Sequence, residues 1–209
     1  MRNKTLALAA IFFIVLATIT SCKKSSKAPV ANSNTPHALS DPYYIRALLD
    51  TTWIYVGNDH GDECSSTGSL CSSFLIFGGN YLIWTAQINL IDSAHPAPKD
   101  SVILGWAGKT FVTANDASVS HPYLFTFSYP DTVGHTLSSN YVINNTGAKM
   151  TINSVVYNGL SPDETDSAGN PLKWYLVNGT LNCKVTHFGD TAVHNVTQGV
   201  FSINVVEAK

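Results

Sequence analysis

The sequence predicts an all-β domain, an antiparallel β-sandwich or barrel of about ten short strands with one short N-terminal helix. Three observations lead there. From Thr52 onward apolar residues recur with period two rather than 3.6. Segments rich in Gly, Asn, Asp and Ser punctuate them at short intervals. Between the strands there is no helical pattern long enough for a crossover, which excludes a parallel α/β sheet.

Asp41-Pro42 reads as a helix start, an N-cap acid before a proline at the first helical position, so Tyr43 to Leu49 is the expected helix. Thr52 to Gly57 sets Trp53 and Tyr55 against Ile54 and Val56 and is the first strand. Ser73–Phe77 and Tyr81–Ile91 flank Gly78-Gly79-Asn80 as a hairpin. In its second arm Leu82, Trp84, Ala86, Ile88 and Leu90 face one way, and Thr85, Gln87 and Asn89 the other. Further strands are expected over Ser101–Trp106, Thr110–Thr113, Tyr123–Tyr129, Asn140–Ile143 and Lys149–Tyr157, with Asn145-Thr146-Gly147 as the turn before the last. Ser161–Asn170 is an acidic loop. Strands near Leu172–Val177, Thr180–Phe188, Ala192–Thr197 and Val200–Val206 follow, the first two joined by a two-residue turn at Asn178-Gly179.

Charged residues make up 12% of the 209-residue chain, about half the usual share. The polar surface must therefore come largely from Ser, Thr and Asn. The chain has no basic cluster, which argues against nucleic acid as a partner. Residues 39–209 are long enough for one domain with a sizeable core. Residues 23–38, KKSSKAPVANSNTPHA, are polar, carry two prolines and show no apolar period. They read as a flexible tether with a reach of roughly 20–25 Å.

At the start, Arg2 and Lys4 precede an unbroken apolar run from Leu6 to Ala17. That is the length of a signal-peptide core and too short to span a bilayer as a helix. The run leads into Ile19-Thr20-Ser21-Cys22, an aliphatic residue and two small ones before cysteine. This resembles the lipobox of bacterial lipoproteins. The resemblance implies that residues 1–21 are a signal peptide, that Cys22 is lipidated, and that the partner of the anchor is a membrane. Without residues 1–21 the net charge is −4. Lys23 and Lys24 follow Cys22 rather than the acidic residues that resemble surface-export signals, which favours a periplasm-facing outer-membrane lipoprotein over a surface one.

Three other cysteines fit an oxidising compartment. Cys64 and Cys71 bracket Ser-Ser-Thr-Gly-Ser-Leu, a turn-forming run, and a disulfide between them would contribute ~2.5 kcal/mol on the chain-entropy estimate. Cys183 alternates onto the apolar face of its strand and reads as a small core residue, although its pairing with Cys64 or Cys71 stays open.

The candidates for chemistry are few. Asn58-Asp59-His60-Gly61-Asp62-Glu63 gathers hard-metal ligands, but not at the spacing of a calcium loop. Asp163, Glu164 and Asp166 form a second acidic loop; both read as solvated turns. His187 and His194 fall in neighbouring predicted strands, yet zinc needs a third ligand that the sequence does not place. There is no nucleophile elbow, zinc-protease motif or phosphate loop, so no catalytic residue, metal or cofactor is assigned. Tyr123, Phe125, Phe127 and Tyr129 line one strand face. Buried, they are core; exposed, they would be a stacking platform for sugars or other flat ligands.

Two further resemblances bear on the envelope. Val177-Asn178-Gly179-Thr180-Leu181, followed by Val196-Thr197-Gln198-Gly199-Val200-Phe201, is similar to the closing segment of small uncharacterised Bacteroidota-type lipoproteins. That pattern implies a β fold and allows a glycine bulge in one longer strand at Gly179, in place of the turn. In secreted proteins of that group, Asp-Ser/Thr followed by a small or aliphatic residue or Thr is associated with O-glycosylation. Such triplets put candidate acceptors at Thr51, Ser93, Ser101, Thr132, Ser167 and Thr191. Six of the eleven aspartates begin one, where ordinary frequencies give about one. Turn chemistry accounts for part of the excess.

The expectation is a non-enzymatic, lipid-anchored envelope protein, a binding or structural module whose partner is a glycan or another envelope protein. The alternative is a small hydrolase acting on envelope or dietary glycans through the acidic loops.

Overall fold

The computed structural model describes residues 41–58, 62–66, 69–78, 81–116, 121–130 and 135–208; of 58, 62–66, 69–78, 81–85 and 162–163 it describes the backbone alone. The leader, Cys22, the tether, Thr132 and the loop residues Asp59, His60 and Gly61 lie outside the described residues. Within them the chain is all-β. Eleven strands form one sheet: β1 (Tyr43–Leu49), β2 (Thr52–Asn58), β3 (Asp62–Ser66), β4 (Ser69–Gly78), β5 (Tyr81–Asp92), β6 (Thr110–Thr113), β7 (Tyr123–Pro130), β8 (Thr136–Ser138), β9 (Lys149–Thr165), β10 (Pro171–Val185) and β11 (His194–Val206). The path through the sheet is β2-β1-β11-β10-β9-β6-β7-β5-β4-β3, with β8 paired to β7 off it. The sheet curls until β3 and β4, from its far end, lie against β11.

Period-two burial builds this sheet. In β10 the residues Tyr175, Val177, Leu181, Cys183 and Val185 point inward against Ile203, Val205 and Phe201 of β11. Ala86, Ile88 and Leu90 of β5 are wholly buried, while Gln87 and Asn89 stay partly exposed, the alternation the sequence predicts. The largest side chains of the core are Trp106, Tyr175, Phe111, Phe125, Phe127 and Phe201.

Several elements differ from expectation. Tyr43–Leu49 is not a helix but β1, held between β2 and β11. Asp41 caps nothing; its carboxylate accepts from the Tyr55 hydroxyl at 2.6 Å, across the β1–β2 pair. Burying Ile45 and Ala47 on one face outweighs the local start signal. The helix lies elsewhere: where a strand is expected over Ser101–Trp106, Asp100–Leu104 forms α1. Ile103 and Trp106, both buried, sit three apart, which a helix puts on one side and a strand on opposite sides. Ser139–Tyr141 is a 3-10 turn rather than strand, with the Ser138 hydroxyl accepting from the Asn140 N–H. The sheet is also mixed, because β6 and β7 run parallel over Val112–Leu124 and Thr113–Phe125.

Asn178-Gly179 is no hairpin turn. β10 runs through it, with a shift of register against β9 between those two residues, as the longer-strand pattern implies. Gly179 stands opposite Phe201 and Gly199 opposite Leu181. A Cβ at Gly179 would lie 2.4 Å from the Thr151 carbonyl oxygen and 2.5 Å from the Phe201 ring; one at Gly199 would lie 2.5 Å from the Leu181 carbonyl oxygen. Each glycine is thus the space that the large residue across the ladder fills. The expected pair of C-terminal strands is likewise one strand, β11. It carries Gln198 at φ 51° beside the register shift at Leu181/Cys183, and the Asn182 side chain accepts from the Gln198 N–H.

Candidate functional site

At the end of β5 a buried carboxylate reaches an exposed titratable group. Asp92 ends β5 and is 1% exposed. Its Oδ1 accepts from the N–H groups of Ala94 and His95, at 3.1 and 3.2 Å, which closes the chain into an Asx turn. Its Oδ2 accepts from Trp106 Nε1 at 3.1 Å and lies 3.0 Å from His95 Nδ1. Four partners fill the four lone-pair sites of the carboxylate. What the arrangement can do is hold the half-exposed His95 ring in one orientation through Nδ1. In the sequence Asp92 stands out only as the start of a glycosylation-like triplet. The available signal was Asp-x-x-His at the end of a clean alternating strand; Trp106, which completes the group, is fourteen residues away.

A second cluster sits at the open end of the sheet. Asp100, in the first turn of α1, accepts from the Tyr175 hydroxyl at 2.9 Å and from Lys173 Nζ. These bonds, Lys173 foremost, hold the Asp100 carboxyl below its ordinary range, and the same bond raises Lys173. Burial first, and then Asp100, pushes the Tyr175 phenol well up. The Lys173 N–H donates to Glu207, and the Glu207 N–H returns a bond to the Lys173 carbonyl. Every group is satisfied from within, a staple between α1, β10 and the C-terminal residues.

A third pair, Asp50 and His194, ties the β1–β2 turn to β11. Asp50 accepts from the Asn195 N–H at 2.8 Å and approaches His194 Nδ1 at 2.7 Å. Burial works to raise the Asp50 carboxyl, but these partners outweigh it and leave it lowered. His194 therefore does not join His187, whose ring stands edge-on to His135 at 5.6 Å. Among the described residues no group of three His, Cys, Asp or Glu side chains is placed to hold a metal ion.

The aromatic stripe is core rather than platform: Phe125 and Phe127 are fully buried, Tyr129 nearly so, and Tyr123 packs against Phe111. Burial pushes the Tyr129 phenol up to about 12. Cys64 and Cys71 are direct partners in the β3–β4 ladder, although their side chains lie outside the described ones. Cys183 is a buried free thiol, raised by burial to about 12.

Of the triplet hydroxyl residues, Thr51, Ser93, Ser101, Ser167 and Thr191 are all exposed. Three triplets share one geometry. The carboxylates of Asp92, Asp166 and Asp190 each accept from the alanine N–H two residues on, at 3.1, 2.9 and 3.0 Å, and the intervening Ser or Thr points outward. The acidic loop is shorter than expected, since β9 runs to Thr165 and only 166–170 turns, closed by Asp166 on the Asn170 N–H.

No protein-family model, curated protein or solved structure matches this chain.

Proposed function

We propose that the protein is a lipid-anchored, non-enzymatic component of the bacterial cell envelope, a β-domain held to the outer membrane on a flexible tether and serving as a binding or structural module. The observation that carries this reading is Cys22 at the end of Leu6–Ala17 and Ile19-Thr20-Ser21. Acylation there would hold the protein through several chains, each buried methylene adding ~0.8 kcal/mol. The densely filled core and the internally satisfied surface clusters support a module that acts through its surface. The periplasmic face is favoured by Lys23 and Lys24. A disulfide between Cys64 and Cys71 belongs to the same reading, supported by their direct opposition in the ladder and by the oxidising compartment. So does O-glycosylation of at least two of the exposed triplet hydroxyls.

Replacing Cys22 with serine tests the anchor. The expected result is transfer of the protein from the membrane fraction to the soluble periplasm; retention in the membrane would refute it. A glycan and metal binding screen on the mature chain then addresses the ligand. The hydrolase alternative would act through the acidic loops; among the described residues His95 on its buried Asp92 is a further candidate. Glycan cleavage by wild type and not by His95→Ala would establish it in place of the binding module.

A further inference from the structure

Besides the single exposed residues Leu104 and Val193, the described surface carries two exposed apolar groups, toward opposite ends of β10. One is Val156, Tyr157 and Leu160, 55%, 50% and 56% exposed, on β9 where Gly159 at φ 107° turns the strand. The other is Ile143 and Phe188, 88% and 84% exposed, with the Tyr141 ring edge-on to Phe188. Three large apolar side chains exposed within five residues of one strand are a feature that asks for a partner.

We propose that the Val156–Tyr157–Leu160 rim is the surface with which the domain rests on the lipid bilayer that anchors it. The inference rests on the lipid-anchor reading above, and chain geometry selects the rim. The forty residues before the described domain join it at Asp41. Two positions on, the Tyr43 hydroxyl accepts from Asn158 Nδ2 at 3.2 Å, so the rim lies at the root of the tether. Phe188 follows the far end of β10, beyond Val185, whereas Leu160 pairs with Lys173 near its start. At ~3.3 Å per residue that separates the two groups by roughly 40 Å. A tether running from Cys22 to Asp41 reaches roughly 20–25 Å, so the anchored domain keeps its rim at the headgroups and its Phe188 end away. Tyrosine beside aliphatic residues suits the interface, where an aromatic ring meets both lipid and water. Of the adjoining charges Lys173 pairs with Asp100, and Asp163, Glu164 and Asp166 follow Leu160 in the chain. The contact is therefore apolar and does not depend on anionic lipid for attraction.

The test uses the mature lipidated protein in phosphatidylethanolamine–phosphatidylcholine vesicles containing a lipid with a photoactivatable acyl chain. After photolysis, peptides are mapped by mass. The expected result is lipid attachment at residues 155–161 about tenfold above that at residues 186–194, not increased when phosphatidylglycerol is added. Val156→Asp/Leu160→Asp should lose that labelling while keeping its melting temperature, since both side chains are exposed. Equal labelling of the two ends, labelling confined to the Phe188 end, or protein–protein cross-links from the rim in place of lipid would each overturn the proposal. If the N-terminal peptide carries no acyl mass and the vesicles do not retain the protein, the anchor reading itself has failed, a result distinct from these.

Discussion

Gly179→Ala is the sharpest probe of how the closing strands fit. The backbone at Gly179 has no positive φ, so alanine meets no conformational penalty there. The cost is steric. The new methyl would lie 2.4 Å from the Thr151 carbonyl oxygen, 2.5 Å from Phe201 Cζ and 2.9 Å from Phe201 Cε1. The ring can rotate only into a filled core, and the carbonyl belongs to the ladder with β9, so neither yields cheaply. Overpacking of this kind costs ~3 kcal/mol, the upper part of the usual range. For a domain of this size that lowers the melting temperature by about 6–12 °C. Gly189→Ala is the control. There φ is 78° and nothing lies within 4 Å of a Cβ, so it should lose only ~1 kcal/mol, from the left-handed backbone. Asparagine, which tolerates that conformation, should rescue Gly189 but not Gly179. Adding Phe201→Leu to Gly179→Ala removes the ring contact and leaves the carbonyl contact, so the pair should be less than additive. Thermal melts of the six variants, Phe201→Leu alone included, decide the matter. A loss below ~1 kcal/mol at Gly179 would refute the interlocked-glycine account of β10 and β11.

Other outcomes follow from the same structure. Asp92→Ala strips two backbone donors and the buried Trp106 Nε1 of their acceptor, so denaturant unfolding should show a loss of ~2–4 kcal/mol. Asp50, Asp100, Asp166 and Asp190 all have carboxyls depressed below 3.8. A depressed acid contributes stability above its unfolded pKa and loses it as pH falls through the folded one. Melting temperature should therefore hold down to about pH 4 and fall below it, and Asp50→Asn should flatten that fall. Lys173 has the opposite sign: its raised pKa contributes below 10.5 and is lost only as pH rises beyond that value. Cys183, buried and pushed up to about 12, should resist thiol reagents at pH 8 in the native protein and react on unfolding.

The period-two signal carried the fold class because it reports burial directly. Ala86, Ile88 and Leu90 alternate in the sequence and in the core alike. Where the sequence misled, a local signal competed with a distant partner. Asp41-Pro42 has the chemistry of a helix start, but Tyr55 and the β11 ladder lie beyond any short window. Ser101–Trp106 is rich in strand formers, yet Ile103 and Trp106 must reach one pocket together. Asn178-Gly179 has turn chemistry, and only the Phe201 ring across the sheet explains the glycine otherwise. The site clusters were hidden for the same reason. Asp92–Trp106, Asp100–Tyr175 and Asp50–His194 join residues far apart in sequence, and no local motif marks them. The exposed triplet hydroxyls were legible because an Asx turn is local: the aspartate and the N–H it binds are two residues apart.

The lipid anchor is tested most directly by the intact mass of the protein purified from the envelope, with peptide masses from its N-terminus. The account predicts a chain beginning at Cys22, heavier at that residue by a diacylglycerol and heavier elsewhere by glycan on at least two triplet peptides. A chain that retains residues 1–21, or that begins at Cys22 with a free thiol, would contradict it.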